Sequence, residues 1–261
     1  MSPRPDGSPD GIARAVLEAE IGQIVGALDG RGVRLRVLGS LGVSLHCPTS
    51  SALLPAFERT YADIDFAGYR RDTSTIAAHL AGMGYVADRE VSMTSEGRRS
   101  VYEHPAKGIH IDVFFDRLEF CHVIPLDGRL ERDDPTIPLA ELLLSKLQIV
   151  QINEKDVVDI ILLLLDHELG DGDESVIDVR RVAGLCAADW GLWRTITLNL
   201  DKVASLARTY RQLDEPRRDR VATQVAALAD RLESEPKTLA WRARARIGER
   251  LKWWTDVDEV R

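Results

Sequence analysis

Two aspartates set into an apolar strand constrain this chain more than any other feature of its sequence. The segment Asp63-Ile64-Asp65-Phe66 alternates charged and apolar residues, and in a β-strand residues two apart project from the same face. The two carboxylates are therefore predicted to lie side by side while Ile64 and Phe66 face a core. Neighbouring carboxylates repel each other, and a cation between them removes that repulsion. Oxygen ligands of this kind suit Mg²⁺.

A third aspartate, Asp112, interrupts the apolar strand Ile109–Phe115. Metal ions that clamp both oxygens of an in-line displacement need several carboxylates. Asp112 is therefore predicted as a third metal ligand and as the general base for an attacking hydroxyl. Two simpler interpretations stay open: Asp112 pairs with an arginine, Arg99 or Arg117, and the earlier aspartate pair lies on a solvated edge strand.

Gly39-Ser40 follows the strand-like run Val33–Leu38 and precedes a helix-like segment. A glycine there lets a phosphate approach the backbone, and the Ser hydroxyl and the first N–H groups of the helix can bind its oxygens. The simpler interpretation is a strand-to-helix turn with Ser40 as N-cap. The chain has two further D-x-D segments, at Asp171 and Asp256, which are attributed to solvated turns or tails.

In this order, the motifs resemble the nucleotidyltransferase superfamily that shares its catalytic fold with polymerase β. They resemble most closely the nucleotidyltransferase-like proteins of bacterial abortive-infection toxin systems. In that branch an arginine lies four residues before the D-x-D, as Arg59 does here. The branch also has a helix with a lysine, here Lys146, and a second helix with K-D-x-x-D, here Lys155 to Asp159. The resemblance covers about residues 33–167.

The resemblance implies transfer of a nucleoside monophosphate from an NTP to an acceptor hydroxyl, with Mg²⁺ or Mn²⁺ as cofactor and pyrophosphate released. It assigns the metals to Asp63, Asp65 and Asp112, and phosphate neutralisation to Lys146. The expected nucleotide-binding residues are Gly39, Ser40, Arg59, Lys155 and Asp159. An ordinary charged helix face explains Lys146, Lys155, Asp156 and Asp159 equally well. The 22 residues between Ser40 and Asp63 exceed the spacing in minimal members of the superfamily, and this insertion has no assigned role.

The predicted fold class is a mixed α/β (α+β) nucleotidyltransferase domain followed by an all-helical domain. The boundaries are a disordered tail over 1–10, the catalytic domain over 11–130 and the helical domain over 131–261. Predicted details include strands at Tyr85–Val91 and Glu119–Ile124, a loop at Cys47–Pro55, and a helix break at Pro216. The five tryptophans are predicted to be core or lid residues.

Net charge limits the partners. The chain carries −8 overall, with 34 Lys and Arg against 42 Asp and Glu. The last 61 residues are basic, and Arg242, Arg246 and Arg250 would share one helix face. This face is either an RNA contact or simply a solvated surface.

The acceptor is predicted to be RNA, a protein or a small molecule; an acidic body suits cationic aminoglycosides. The toxin resemblance adds a possible antitoxin partner, and a catalytically silent nucleotide-binding or scaffold module is the non-enzymatic alternative.

Cysteine usage and hydropathy predict a cytoplasmic protein without a membrane contact. Cys47, Cys121 and Cys186 are widely spaced and odd in number, which favours a reducing compartment and argues against a zinc site. No apolar segment approaches the roughly 20 residues of a membrane span, and the polar N-terminus lacks an export signal.

Overall fold

The apolar runs of the first half form one mixed five-stranded sheet. The computed structural model describes residues 12–57, 61, 63–173 and 175–256, so the predicted tail, Arg59 and Asp258 lie outside the described residues. The strands are β1 Leu35–Leu38, β2 Asp63–Gly68, β3 Val86–Asp88, β4 Arg99–His104 and β5 Ile109–Phe115. Their order is β1-β2-β5-β4-β3, with β2 and β5 parallel and all other neighbours antiparallel.

The two faces of this sheet have different roles. Ile64, Phe66 and Val113 are fully buried and point to one face, on the side of α1 Arg14–Asp29 and α3 Thr73–Gly82, which pack against each other. The opposite face carries the aspartates. There α2 Gly39–His46 packs against β2 and against α5 Leu139–Leu147 and α6 Glu154–Asp166.

The second half is mainly helical. It contains α7 Val179–Ala188, α8 Trp190–Thr209, α9 Glu215–Ser234 and α10 Leu239–Ile247, and each of these helices begins after an Asp or Thr whose side chain accepts a backbone N–H. The five tryptophans contact one another through T-shaped or tilted ring pairs. No helix in the described part of the chain is long and apolar enough to cross a membrane.

The predicted mixed α/β architecture followed by a mainly helical part is confirmed, with local corrections. The expected strand Tyr85–Val91 ends at Asp88, because the Asp88 carboxylate accepts the N–H groups of Glu90 and Val91 and so begins a short helix, α4 Arg89–Thr94. The expected strand Glu119–Ile124 is the turn of a hairpin between β6 Arg117–Glu119 and β7 Val123–Pro125.

Three further segments differ from the sequence prediction. The predicted loop Cys47–Pro55 contains a 3₁₀-helix, Ser50–Phe57, at whose start Asp166 accepts backbone N–H groups. Pro216 lies in the first turn of α9, where proline is tolerated, and does not break the helix. A short parallel pair, β8 Glu168–Gly170 and β9 Val176–Asp178, interrupts the helical half.

A buried carboxylate, Glu141 on α5, ties the sheet region to the helices. Its side chain is fully buried and accepts from Arg129 Nε at 2.7 Å and from Arg181 Nε at 2.8 Å. Arg129 also binds Asp173, in the connection between β8 and β9. Burial would lower the pKa of Arg129, but its bonds to Glu141 and Asp173 outweigh burial and raise it.

We expect Glu141→Ala to lower the free energy of unfolding by about 3–5 kcal/mol, because it leaves two partly buried guanidinium groups without their shared, fully buried partner. Glu249→Ala removes a half-exposed partner of Arg194 and should cost less than about 1 kcal/mol. Urea unfolding of both variants measures the difference. Equal losses would mean that Glu141 contributes no more than a surface pair.

Candidate functional site

A cleft of about 650 Å³ lies on the aspartate face of the sheet, between the strand ends and the helical half. Four of the predicted site residues line it: Gly39, Asp65, Asp112 and Lys146. The other lining residues are Leu38, Ser95, Arg98, Arg99, Phe114, Arg117, Glu119, Phe120, Ser145, Ile149, Asp156, Thr255 and Asp256. The cleft therefore combines residues from β1, β2, β4, β5 and β6 with residues from α5, α6 and the C-terminal segment.

Gly39 is required by the carboxylate of Asp65. Its backbone is left-handed, with φ +68°, and a Cβ built on it would lie 2.1 Å from Asp65 Oδ2. Such a separation is far inside van der Waals contact, so no other residue fits here unless Asp65 moves. The β1–α2 junction therefore packs directly against Asp65, which makes the start of α2 and the D-x-D strand one structural unit.

The negative charge of Asp65 is uncompensated in the described part of the chain. No hydrogen-bond or ion-pair partner of its carboxylate occurs among the described residues. Burial, followed by repulsion from Asp112, raises the pKa of Asp65 to about 7, although Lys146 and Arg99 oppose the shift. Burial also raises the pKa of the more exposed Asp63. A cation at Asp65 would supply the missing charge.

Asp112 is held by an arginine. It lies opposite Asp65 in the parallel β2–β5 register, and it accepts two bonds from Arg99, Nε to Oδ1 at 2.7 Å and Nη2 to Oδ2 at 2.9 Å. Burial would raise the pKa of Asp112, but His110 and Arg99 outweigh it and lower the pKa. The arginine pairing left open by the sequence is therefore present with Arg99, while Arg117 binds Glu119.

The donor set fits a hard divalent cation at Asp63 and Asp65, whose oxygens project from neighbouring positions on one strand face. Asp112 joins that set only if it shares or releases an oxygen bound to Arg99. Across the described residues, no three His, Cys, Asp or Glu side chains converge into a ready metal site. The assignment of metal to Asp63, Asp65 and Asp112 therefore stays a prediction.

Lys146 lies at one side of the cleft in a network of acids. Its Nζ is 2.8 Å from Asp156 Oδ1 and 2.9 Å from Asp159 Oδ2, and Ser40 Oγ donates to Asp159 Oδ2 at 3.1 Å. Burial would lower the pKa of Lys146, but Asp159 and Asp156 outweigh it and raise the pKa. Lys146 is therefore a cation at every physiological pH.

Ser40 and Lys155 are placed differently from the expectation. The Ser40 hydroxyl, expected on a triphosphate, donates to Asp159 and connects the start of α2 to α6. Lys155 is exposed in the first turn of α6 and does not line the cleft, whereas its neighbour Asp156 does. The nucleotide-binding roles of both residues stay predictions, as does that of Arg59, which lies outside the described residues.

The C-terminal segment forms a wall of the cleft that the sequence did not indicate. Thr255 N–H donates to the Cys121 carbonyl at 3.1 Å, and Trp253 Nε1 donates to Thr195 Oγ1 at 3.1 Å. A Cβ at Gly191 would lie 2.6 Å from the Trp253 carbonyl, so the segment packs closely on the start of α8. Asp256, attributed to a solvated tail, therefore lines the cleft.

The predicted basic helix face is only partly present, because α10 ends at Ile247 and Arg250 follows it in a 3₁₀ turn. Arg242, Arg246 and Arg250 are all solvent-exposed. None of the three arginines is among the cleft-lining residues. The apolar side chains of Ile247 and Leu251 in this region are also exposed, at 40% and 59%. Arg244 instead holds this region together, by donating to the Gly248 and Leu251 carbonyls.

Comparison with known proteins gives weak similarity to two solved structures. No protein-family model matches the chain, and no curated protein matches its sequence. Lincosamide antibiotic adenylyltransferase LnuA, solved with lincomycin, is 17% identical with a TM-score of 0.41, covering 59% of this chain and 98% of that one. The antibiotic-resistance factor ANT(2'')-Ia is 13% identical with a TM-score of 0.38, covering 57% and 83%. With values this low, function must be inferred from the geometry of the cleft itself.

We expect Gly39→Ala to destabilise the protein and to weaken Mn²⁺ binding, because the added Cβ displaces Asp65. Gly108→Ala is the matched control: its φ is +65°, yet no atom lies within 4 Å of an added Cβ. Left-handed strain alone should cost the control about 1–2 kcal/mol. Thermal unfolding and Mn²⁺ titration separate the effects, and unchanged Mn²⁺ affinity in Gly39→Ala would contradict this placement of Asp65.

The raised pKa of Asp65 predicts a pH dependence of stability in metal-free buffer. The unfolded chain loses this proton near pH 3.9, whereas the folded chain keeps it until about pH 7. The stabilisation of the fold by the protonated carboxyl is therefore complete below about pH 4 and is lost as the pH rises through about 7.

The measurement is denaturant unfolding of wild type and Asp65→Asn across this pH range, with a chelator present. The stability of wild type relative to Asp65→Asn should fall as the pH rises, because only the wild type acquires a buried negative charge. Saturating Mg²⁺ should oppose the fall. A constant difference between the two proteins would show that Asp65 titrates normally.

Proposed function

We propose that this protein is a Mg²⁺-dependent nucleotidyltransferase that moves a nucleoside monophosphate from an NTP to a hydroxyl of a small-molecule acceptor. The observation that carries the proposal is the carboxylate of Asp65, which has no direct ion-pair partner among the described residues and is held against the start of α2 with Asp112 in register beside it. A cleft with a carboxylate pair at its floor and cations at its sides suits a metal-bound polyphosphate.

The start of α2 supports polyphosphate binding. Its N-cap residue, Leu38, has no side chain that can cap the first turn, and Gly39 lines the cleft. Uncapped N–H groups at a helix N-terminus attract anions. Lys146 supplies a fixed positive charge to the same cleft, and its two acid partners keep it protonated. Arg98 and Arg99 add positive charge from β4 and the turn before it.

In the proposed reaction, Asp63 and Asp65 would hold Mg²⁺, with Asp112 completing the ligand set. When bound, Mg²⁺ supplies charge neutralisation of the polyphosphate and orientation of its α-phosphorus. Asp112 accepts the proton of the acceptor hydroxyl. The acceptor oxygen forms a bond to the α-phosphorus, the bond from that phosphorus to the bridging oxygen breaks, and pyrophosphate leaves.

The shape of the cleft favours a small acceptor over RNA. Its volume of about 650 Å³ lies within the range of small-molecule sites. Phe114 and Phe120 form an edge-to-face pair in its lining, which offers an apolar surface to a small acceptor. The exposed basic residues of the last helix, which would serve RNA, do not line the cleft. An antitoxin partner rests on the sequence resemblance alone.

The test is incubation with Mg²⁺, each α-labelled NTP in turn, and separate acceptor pools of aminoglycosides, lincosamides, total RNA and cell protein. We expect label on a small molecule. Asp65→Ala should reduce transfer by at least about 100-fold, the scale of losing an electrostatic catalytic group. Asp171→Ala, in a D-x-D outside the cleft lining, should retain it.

Each other outcome contradicts part of the proposal. Label on RNA or protein would overturn the small-molecule acceptor. NTP binding without transfer to any pool would favour the silent binding module. Absence of NTP binding by the folded protein would overturn nucleotidyl transfer altogether.

A further inference from the structure

Arg99 occupies the two oxygens that the proposed chemistry requires of Asp112. The guanidinium binds both in a bidentate pair at 2.7 and 2.9 Å. An oxygen in such a pair is oriented toward the guanidinium, and a cation beside that guanidinium is repelled by it. Each oxygen keeps a second lone pair, but the adjacent guanidinium charge disfavours a cation there, so Asp112 serves best as metal ligand and proton acceptor once Arg99 shares or releases at least one oxygen.

The surroundings of Arg99 permit that release. Its side chain lines the cleft and is 26% exposed, and its guanidinium lies 5.5 Å from the centre of the Phe114 ring. Its backbone is fixed separately, since Ser95 Oγ donates to the Arg99 carbonyl at 2.9 Å. The side chain can thus change partner without a movement of β4, and the ring face offers it support.

The cleft also supplies the alternative partner. A guanidinium binds phosphate oxygens in the same forked geometry as a carboxylate, and an NTP bound at the start of α2 would bring its polyphosphate into the cleft that Arg99 lines. We propose that Arg99 is a positioning residue with two anionic partners, Asp112 in the nucleotide-free cleft and the polyphosphate in the loaded one. This inference rests on the proposed function.

The exchange would couple the two ligands. Polyphosphate that attracts Arg99 frees Asp112 for the metal and so raises the affinity for the metal. By reciprocity, the bound metal raises the affinity for polyphosphate by the same factor. The complete metal site then forms together with the nucleotide and not before it. A purely structural ion pair between Arg99 and Asp112 has no such consequence, because its removal would only destabilise β4 and β5.

The test compares Arg99→Met with wild type in two binding measurements that need no turnover. Mn²⁺ titration without nucleotide, followed by electron paramagnetic resonance, should show affinity about 10-fold higher in Arg99→Met, because Asp112 is free. Binding of inorganic tripolyphosphate in EDTA should be about 10-fold weaker, a loss typical of one charge-assisted contact. Opposite changes in one variant are the signature of an exchanged partner.

Arg98→Met is the matched control for charge. Arg98 lines the same cleft but binds Glu96 and Glu119, so its removal should raise Mn²⁺ affinity by much less than removal of Arg99. Asp112→Asn should change both affinities in the direction opposite to Arg99→Met, with weaker Mn²⁺ binding and tighter tripolyphosphate binding than wild type. Arg99→Lys replaces Arg99→Met in the test if the latter unfolds. It retains the positive charge but cannot bind both Asp112 oxygens at once, so it should also bind Mn²⁺ more tightly than wild type.

Parallel losses of both affinities, or unchanged affinities in a folded Arg99 variant, would overturn the exchange while leaving the proposed function intact. Wild-type protein that binds neither Mn²⁺ nor tripolyphosphate would overturn the proposed function itself. The two failures are therefore distinct.

Discussion

The contact between the Asp65 carboxylate and the backbone of Gly39 determines how the rest of the cleft is arranged. It brings a carboxylate that makes no ion pair with any described residue to the point where strand β1 turns into helix α2. The neighbouring charges are paired instead: Asp112 with Arg99, and Lys146 with Asp156 and Asp159. The local charge balance therefore remains incomplete at Asp65, which is where an added cation gains most.

Much of the aspartate arrangement follows from strand periodicity. Alternation in Asp63–Phe66 places both carboxylates on one face, and the same parity holds for Asp112 on β5. The pairing of Asp65 with Asp112 depends on a parallel alignment between strands far apart in the chain, which one sequence does not specify. Gly39 was predicted for a phosphate, whereas the structural requirement at that position comes from a carboxylate.

The family resemblance allows Asp159 to orient Lys146, as it does, but the other side-chain partners across helices were not predictable. Ser40, Lys146, Asp156 and Asp159 lie on three different helices, and their network depends on how α2, α5 and α6 pack. From periodicity alone, such residues are indistinguishable from a solvated helix face. Capping at Asp88 likewise ended a predicted strand early, because a local carboxylate bond to backbone N–H groups outweighed strand propensity.

The wall formed by Trp253, Thr255 and Asp256 has a consequence for synthesis of the chain. Gly39, Asp65, Asp112 and Lys146 all precede the C-terminal helices, so a ribosome completes the aspartate floor long before it adds that wall. A nascent chain that has not reached Trp253 has the residues proposed for metal and polyphosphate, but one side of the cleft is still open to solvent. The two sides of the cleft are therefore made at different times, and the C-terminal side is finished last.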